Sequence, residues 1–348
     1  MIKTIFTDPH LGTRRAAHTT RSSADALRQS LYWQAMSIVN GSPHPKLCVG
    51  DLFDKAQNDE ATLVQGFNVA SQCEMTLSGN HDELNREGVV TSLQALKDMG
   101  VPICSAPDLS KPYFTADGAI YMVPHHASNE LFIEACLLAA QHASVNRDGQ
   151  ASYLFLHCNY NFPMKLEDNT LNLPEDIAVD LGQAFDFIFI GHEHNPSEHL
   201  DGKVIILGNT HPTSFSDISD KFIYHLEVET AELTKERVWS MDNSYRQLKL
   251  GDDIPDLEGV QFVEVIGTDK AENAGAWKAS FYKPEGEDNM ISDLFAVRNK
   301  VDVVDALSDV DTDIGSVSVD NLKDTIAKEL AGTDLLPIYQ ALVAEVSA

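Results

Sequence analysis

Short runs rich in β-branched and aromatic residues recur through the first 240 or so residues, and most stop at or near a Gly, Asp, Asn or His. As strands they are Lys3–Thr7, Lys46–Val49, Cys73–Leu77, Ala119–Val123, Ser152–Leu156, Phe187–Ile190, Val204–Leu207 and Phe222–Val228. Between them the spacing of apolar positions predicts helices over Ser23–Val39, Glu60–Ala70, Thr91–Met99 and Asn129–His142. Leu27, Leu31 and Trp33 carry the apolar spacing of the first helix. Alternation of strand and helix predicts one layered α/β core over residues 1–245.

After Met241 the texture changes. Residues 241–348 hold 22 acidic and 9 basic side chains, and Ile254-Pro255 and the small-residue stretch Gly267–Gly275 punctuate them. Gln261–Ile266 and Trp277–Tyr282 suggest a small β pair, so residues 255–310 read as a separate α+β cap or accessory module. Asp302–Asp313 is a dense acidic stretch, read as a solvated linker. In the tail, 316–348, Leu322, Ile326 and Leu330, then Leu335, Ile338, Leu342, Val343 and Val346, recur at helical spacing, broken by Gly332 and Pro337. Such a helix pair either docks a partner or folds back on its own domain, and the pattern is equally consistent with both.

Composition narrows the class. The chain has 348 residues, 43% of them hydrophobic, enough for a sizeable core. No run approaches the ~18 consecutive apolar residues of a membrane span, and the first residues read as a strand rather than a signal peptide, so a cytoplasmic protein is expected. Five widely spaced cysteines without a CxxC pair argue for buried, reduced thiols rather than disulfides or a zinc knuckle. Cys158 follows His157, but a small residue filling space after a strand is the commoner reading. With 53 acidic against 25 basic residues the formal net charge is −28, the reverse of a polyanion-binding surface.

Candidate chemistry sits where the apolar runs end. The blocks are Asp8-Pro9-His10, Gly50-Asp51-Leu52-Phe53-Asp54, Gly79-Asn80-His81-Asp82, His157 and Gly191-His192-Glu193-His194. A strand followed at once by Asp, Asn or His places oxygen and nitrogen ligands at one sheet edge. Five repeats gather enough ligands for two divalent ions sharing a carboxylate. Asp8, His10, Asp51 and His194 are assigned to one ion, and Asp51, Asn80, His157 and His192 to the other. Mixed carboxylate and imidazole ligation suits Mn, Fe, Co or Zn better than Ca or Mg. Such a pair activates a shared water and clamps a phosphoryl group. His81, beside a ligand, is read as stabilising the transition state or protonating the leaving oxygen, with Asp54 holding its ring. Singly, each residue is more often a cap or turn residue; the ordered conjunction is what points to metal. His125 and His126 read as surface or core residues, His211 as a cleft-shaping loop residue, and Arg14 and Arg15 as cations near the metals.

The ordered blocks resemble the calcineurin-like metallophosphoesterase superfamily over residues 1–240. Asp8-x-His10-Leu-Gly, Gly50-Asp-Leu-Phe-Asp54 and Gly208-Asn-Thr-x-x-x-Ser-Phe215 resemble the SbcD-type DNA-repair nucleases, including the short phage recombination subunits. The resemblance implies a four-layer αββα sandwich and a Mn-dependent exonuclease and endonuclease. It further implies a homodimer joined through N-terminal helices and an SMC-like, SbcC-type ATPase partner docked on the tail. Its ligand positions fall on Asp8, His10, Asp51, Asn80, His157, His192 and His194, and its catalytic histidine on His81. Pro9 and Glu193 depart from the usual residues inside their blocks. Gly-Asp-Leu-Phe-Asp-Lys-Ala56 departs from the Gly-Asp-x-Val-Asp-Arg-Gly of protein Ser/Thr phosphatases. The expected function is a DNA nuclease subunit; the alternatives are an esterase of nucleotides or other small phosphate esters, and a structural subunit retaining its metal site.

Overall fold

The computed structural model describes residues 1–13, 21–84, 89–146, 149–163, 170–253, 255–269 and 296–303. The first half runs β1 (Ile2–Phe6), α1 (Arg21–Gly41), β2 (Lys46–Val49), α2 (Glu60–Ala70), β3 (Met75–Leu77), α3 (Ser92–Asp98) and β4 (Ile103–Cys104). Next come β5 (Thr115–Asp117), β6 (Ile120–Met122), α4 (Asn129–Asn146), β7 (Tyr153–His157), β8 (Asn159–Tyr160), β9 (Asn172–Leu173) and α5 (Glu175–Leu181). Then follow β10 (Phe187–Gly191), β11 (Ser197–His199), β12 (Val204–Ile206), β13 (Lys221–Glu227) and β14 (Glu232–Trp239). Last are α6 (Met241–Ser244), β15 (Tyr245–Lys249), β16 (Phe262–Asp269) and β17 (Ala296–Val303).

Two six-stranded sheets carry the core, ordered β14-β13-β1-β2-β3-β4 and β11-β12-β10-β7-β6-β5. Within them β1 to β4, and β6, β7, β10 and β12, pair in parallel. Their C-terminal ends therefore share one edge of each sheet, the usual place for chemistry in such folds.

Side-chain alternation explains the layering. Along β7, Tyr153 and Phe155 face the other sheet, where they meet Ile5, Leu47 and Leu77, while Leu154 and Leu156 face α4 and α5. The outer face of the first sheet is covered by α1, α2 and α3 through Ala35, Ile38, Val69 and Leu93. The order is helices, sheet, sheet, helices, the expected four-layer αββα sandwich. Local signals agree with it: Asp59 caps α2 by accepting from the Thr62 amide, and Thr91 caps α3 by accepting from that of Gln94. All five cysteines are buried free thiols, and Cys158 lies in the helix-side core, facing away from the sheet-edge blocks. Among the described residues no helix is long and apolar enough to cross a membrane.

One expectation changes. Trp33 is 61% exposed, because the buried stripe of α1 runs through Leu27, Leu31, Ala35 and Ile38, at steps of three and four that leave Trp33 on the opposite side. The third sheet is three parallel strands, β15-β16-β17, beginning at Tyr245. Its central strand β16 pairs with β15 and β17, and Trp277–Tyr282, the expected second strand, lies outside the described residues. Phe262 of β16 packs with Leu27 and Leu31 of α1, so the small sheet is seated on the sandwich. The tail 316–348 also lies outside the described residues.

Phe155 stacks on its in-register neighbour Phe189 of the same sheet at a centroid distance of 4.9 Å, on the face turned to the other sheet. Phe155→Ala is therefore expected to cost about 3–5 kcal/mol, and Trp33→Ala no more than about 0.5 kcal/mol. Urea unfolding of both variants checks this; equal losses would return Trp33 to the packed face.

Candidate metal centre

The five blocks meet where the two sheets present their C-terminal edges. Backbone bonds register the first two loops against one another: the His10 amide donates to the Asp51 carbonyl, Leu11 to Leu52 and Asp54 to Leu11, at 2.9–3.1 Å. Gly191 pairs with His157 across the second sheet. The turns are sharp enough to force non-glycine residues into the left-handed region. Asp8 (φ 54°), His10 (φ 46°), Asp51 (φ 48°) and His192 (φ 88°) all occupy it, at a cost of order 1–3 kcal/mol each. Two glycines make the room. A Cβ on Gly50 would run into the His157 ring, and one on Gly79 into the Asp51 carboxylate.

Asp8 and Asp51 each have one oxygen fixed by the protein and one turned to the centre. Asp8 Oδ2 accepts from Thr7 Oγ1 (2.6 Å) and the His192 amide (3.0 Å), while Asp8 Oδ1 has no hydrogen bond. Asp51 Oδ1 accepts from the His81 amide at 3.0 Å. Asp51 Oδ2 lies 3.1 Å from His157 Nε2 and 3.9 Å from Nε2 of both His10 and His81. His157 donates through Nδ1 to the Val49 carbonyl (2.8 Å), leaving its buried Nε2 without a hydrogen bond. His10 and His194 face each other through Nε2 atoms 3.0 Å apart, and His192 Nδ1 is 2.9 Å from Asn80 Oδ1.

The contacts His10 Nε2 to His194 Nε2, His157 Nε2 to Asp51 Oδ2 and His192 Nδ1 to Asn80 Oδ1 have the spacing of ligand edges. Donor atoms about 2.1 Å from one ion stand roughly 3.0–3.4 Å apart at its cis or tetrahedral positions. Three groups have the spacing to hold an ion: Asp8 with His10 and His194; Asp51 with His157 and His192; and His10 with Asp51 and His81. The first two belong to the two expected sites, and Asp51 Oδ2 lies central, as a shared ligand requires. The residues fit divalent metal: buried donors converge, and the Nδ1 atoms of His157 and His194 are oriented from behind by the Val49 carbonyl and the Asp217 carboxylate.

Charge makes the same demand. Burial by itself would raise both Asp8 and Asp51, but the neighbouring His157 and His10 hold them below the usual carboxylate range. Burial likewise works against protonated His10 and His157, yet the carboxylates prevail and push them up to about 9 and about 10. His192, buried beside His157, is pushed down to about 4. In the metal-free protein, protons on two histidines balance two desolvated carboxylates.

All nine candidate residues are brought to this point, with one change of contact. His81 Nδ1 bonds the backbone carbonyl of Asp54 at 2.7 Å, not its carboxylate, which stands 3.7 Å from His10 Nδ1 instead. The reason is reach: the turn after β2 aims that carbonyl at the ring and the side chain across it. The remaining expectations separate from the site. His125 and His126 are buried, and His126 bonds the Pro124 carbonyl and the Tyr113 amide. His211 is buried against Ser30 and the Pro212 carbonyl rather than lining the cleft. Arg14 and Arg15 lie outside the described residues. Asp217 was not anticipated, although its carboxylate accepts from His194 Nδ1 at 3.0 Å. Its only signal in the sequence is proximity to the Ser214-Phe215 motif.

No protein-family model matches the sequence, and no curated protein does. Among solved structures, the chain is similar to an archaeal phosphodiesterase (TM-score 0.34, 14% identity, 68% of this chain and 99% of that one). It is also similar to the calcineurin-like phosphoesterase YfkN of Bacillus subtilis (TM-score 0.35, 9% identity, 68% and 90%). Of a candidate 5′-nucleotidase from Staphylococcus aureus it spans 52%, with 68% of this chain covered at TM-score 0.39 and 12% identity. Likenesses this distant leave the functional reading to rest on the site.

Divalent metal must displace the protons on His10 and His157. Because both pKa values are raised, both rings are protonated at pH 7, so Mn2+ affinity should climb as pH rises and level off near pH 9–10. Calorimetry in buffers of different ionisation enthalpy should detect release of about two protons per chain at pH 7. Binding without proton release would contradict this charge balance.

Proposed function

We propose that the protein is a metal-dependent phosphoester hydrolase of the calcineurin-like type, and that it cuts DNA phosphodiesters as an SbcD-type nuclease subunit. The observation that carries hydrolysis is the convergence of Asp8 Oδ1, Asp51 Oδ2, His157 Nε2 and the His10–His194 pair beside His81, at the floor of a cleft of about 440 Å³. When bound, two divalent ions, Mn2+ by the resemblance, supply nucleophile activation and neutralise phosphoryl charge.

The chain's own residues do the rest. Asp8, His10, Asp51 and His194 would hold one ion, and Asp51, Asn80, His157 and His192 the other. The Asp54 carbonyl fixes the His81 ring with Nδ1–H towards it, so that Nε2 faces the cleft. From Nε2 a protonated His81 donates to the leaving oxygen, the role of a general acid. In this reading the protein is cytoplasmic, pairs as a homodimer, and docks an SMC-like ATPase through its tail, 316–348.

One observation favours a second reading. Among the described residues lining the cleft there is no Lys or Arg, while Asp54 and Glu193 do line it. A nucleotide or another small phosphate ester asks less of a cationic surface than DNA does.

The test is Mn-loaded full-length protein with end-labelled duplex DNA and with bis-(p-nitrophenyl) phosphate. Cleavage of both supports the nuclease; turnover of the small ester alone, with an ATPase partner present, selects the second reading. His81→Ala should lower turnover by about 10²–10⁴-fold while metal stays bound. Loss of metal from that variant would remove its acid role.

A further inference from the structure

The segment after β12 is gathered onto a single side chain. Asp217, 1% exposed, accepts at Oδ2 from Asn209 Nδ2, the Thr213 amide and Thr213 Oγ1, each at 2.9 Å, and from His194 Nδ1 at 3.0 Å. At Oδ1 it accepts from the Ser214 amide (2.7 Å) and Ser214 Oγ (3.0 Å). Every partner is a donor, and together they exceed the roughly four lone-pair sites of a carboxylate. Such a group is an acceptor only. The backbone of His194 is pinned as well, since its carbonyl accepts from the buried Lys221 Nζ at 2.8 Å and from the Asn209 amide at 3.2 Å.

An acceptor-only partner dictates which nitrogen of His194 carries hydrogen. Nδ1 must be N–H, and the lone pair of the neutral ring then sits on Nε2, the atom 3.0 Å from His10 Nε2. We propose that Asp217 is a positioning residue of the centre, holding His194 in the Nδ1–H tautomer so that Nε2 is presented as a ligand beside Asp8 and His10. The same carboxylate ties that ligand to the turn 213–217. There Phe215 meets Phe262 of the third sheet edge-on at 5.4 Å. The small sheet thus buttresses the turn that orients the ligand. This deepens the metal-dependent reading and rests on it.

Long-range 1H–15N correlation spectra of the metal-free, full-length protein decide the tautomer directly. The expected pattern for His194 is hydrogen on Nδ1; hydrogen on Nε2 alone overturns the proposal, with no variant needed. Asp217→Asn replaces an acceptor-only group by one that can donate. It should weaken one of two Mn2+ sites by about 10–100-fold in calorimetry while circular dichroism stays unchanged. In a His194→Ala background the same substitution should change Mn2+ affinity by less than about twofold, because the coupled partner is gone. Undiminished affinity in Asp217→Asn, or an equal loss without His194, overturns the positioning role alone. A wild-type chain that binds no Mn2+ overturns this role and the proposed hydrolase together.

Discussion

Two carboxylates taken out of water, Asp8 and Asp51, set the terms for everything around them. Each keeps one oxygen on protein donors and leaves the other facing inward, so the centre holds negative charge that the fold itself does not neutralise. Burying a charge is tolerated only where opposite charge arrives. In the metal-free chain it arrives as protons on His10 and His157; a divalent ion is the replacement that also satisfies the bare nitrogen and oxygen atoms. The parallel strands, the tight turns and the glycines beside His157 serve this convergence, because candidate ligands from five separate stretches reach one point.

Much of this was legible because of where the ligands stand. Each block closes an apolar run, and parallel pairing of β1 with β2 and of β7 with β10 makes the ends of those runs neighbours in space. A strand end is a position that one sequence can reveal. What escaped notice depends on contacts made across the chain. Asp217 follows no strand, and its partners lie in a loop and on His194. Asp54 acts on His81 through a carbonyl, which carries no residue-type signal. β14, Glu-Leu-Thr-Lys-Glu-Arg-Val-Trp, is an edge strand exposed along most of its length, so the hydrophobic pattern had little to mark. Trp33 misled for the opposite reason, being large and apolar yet off the buried stripe of α1.

The acidity of the chain bears on substrate rather than on fold. A formal charge of −28 repels a polyanion at long range, and the described walls of the cleft add Asp54 and Glu193 to that field. In the proposed reaction, attraction for a phosphoryl group would come from divalent ions at the centre and from neutral donors such as Thr13, Asn195 and Ser216.

The left-handed backbone at Asp8, His10, Asp51 and His192 speaks to why those residues are there at all. Glycine would occupy each turn with less strain but would supply no donor atom. Four of the eight non-glycine residues held in that region among those described bring a carboxylate or an imidazole to the one centre.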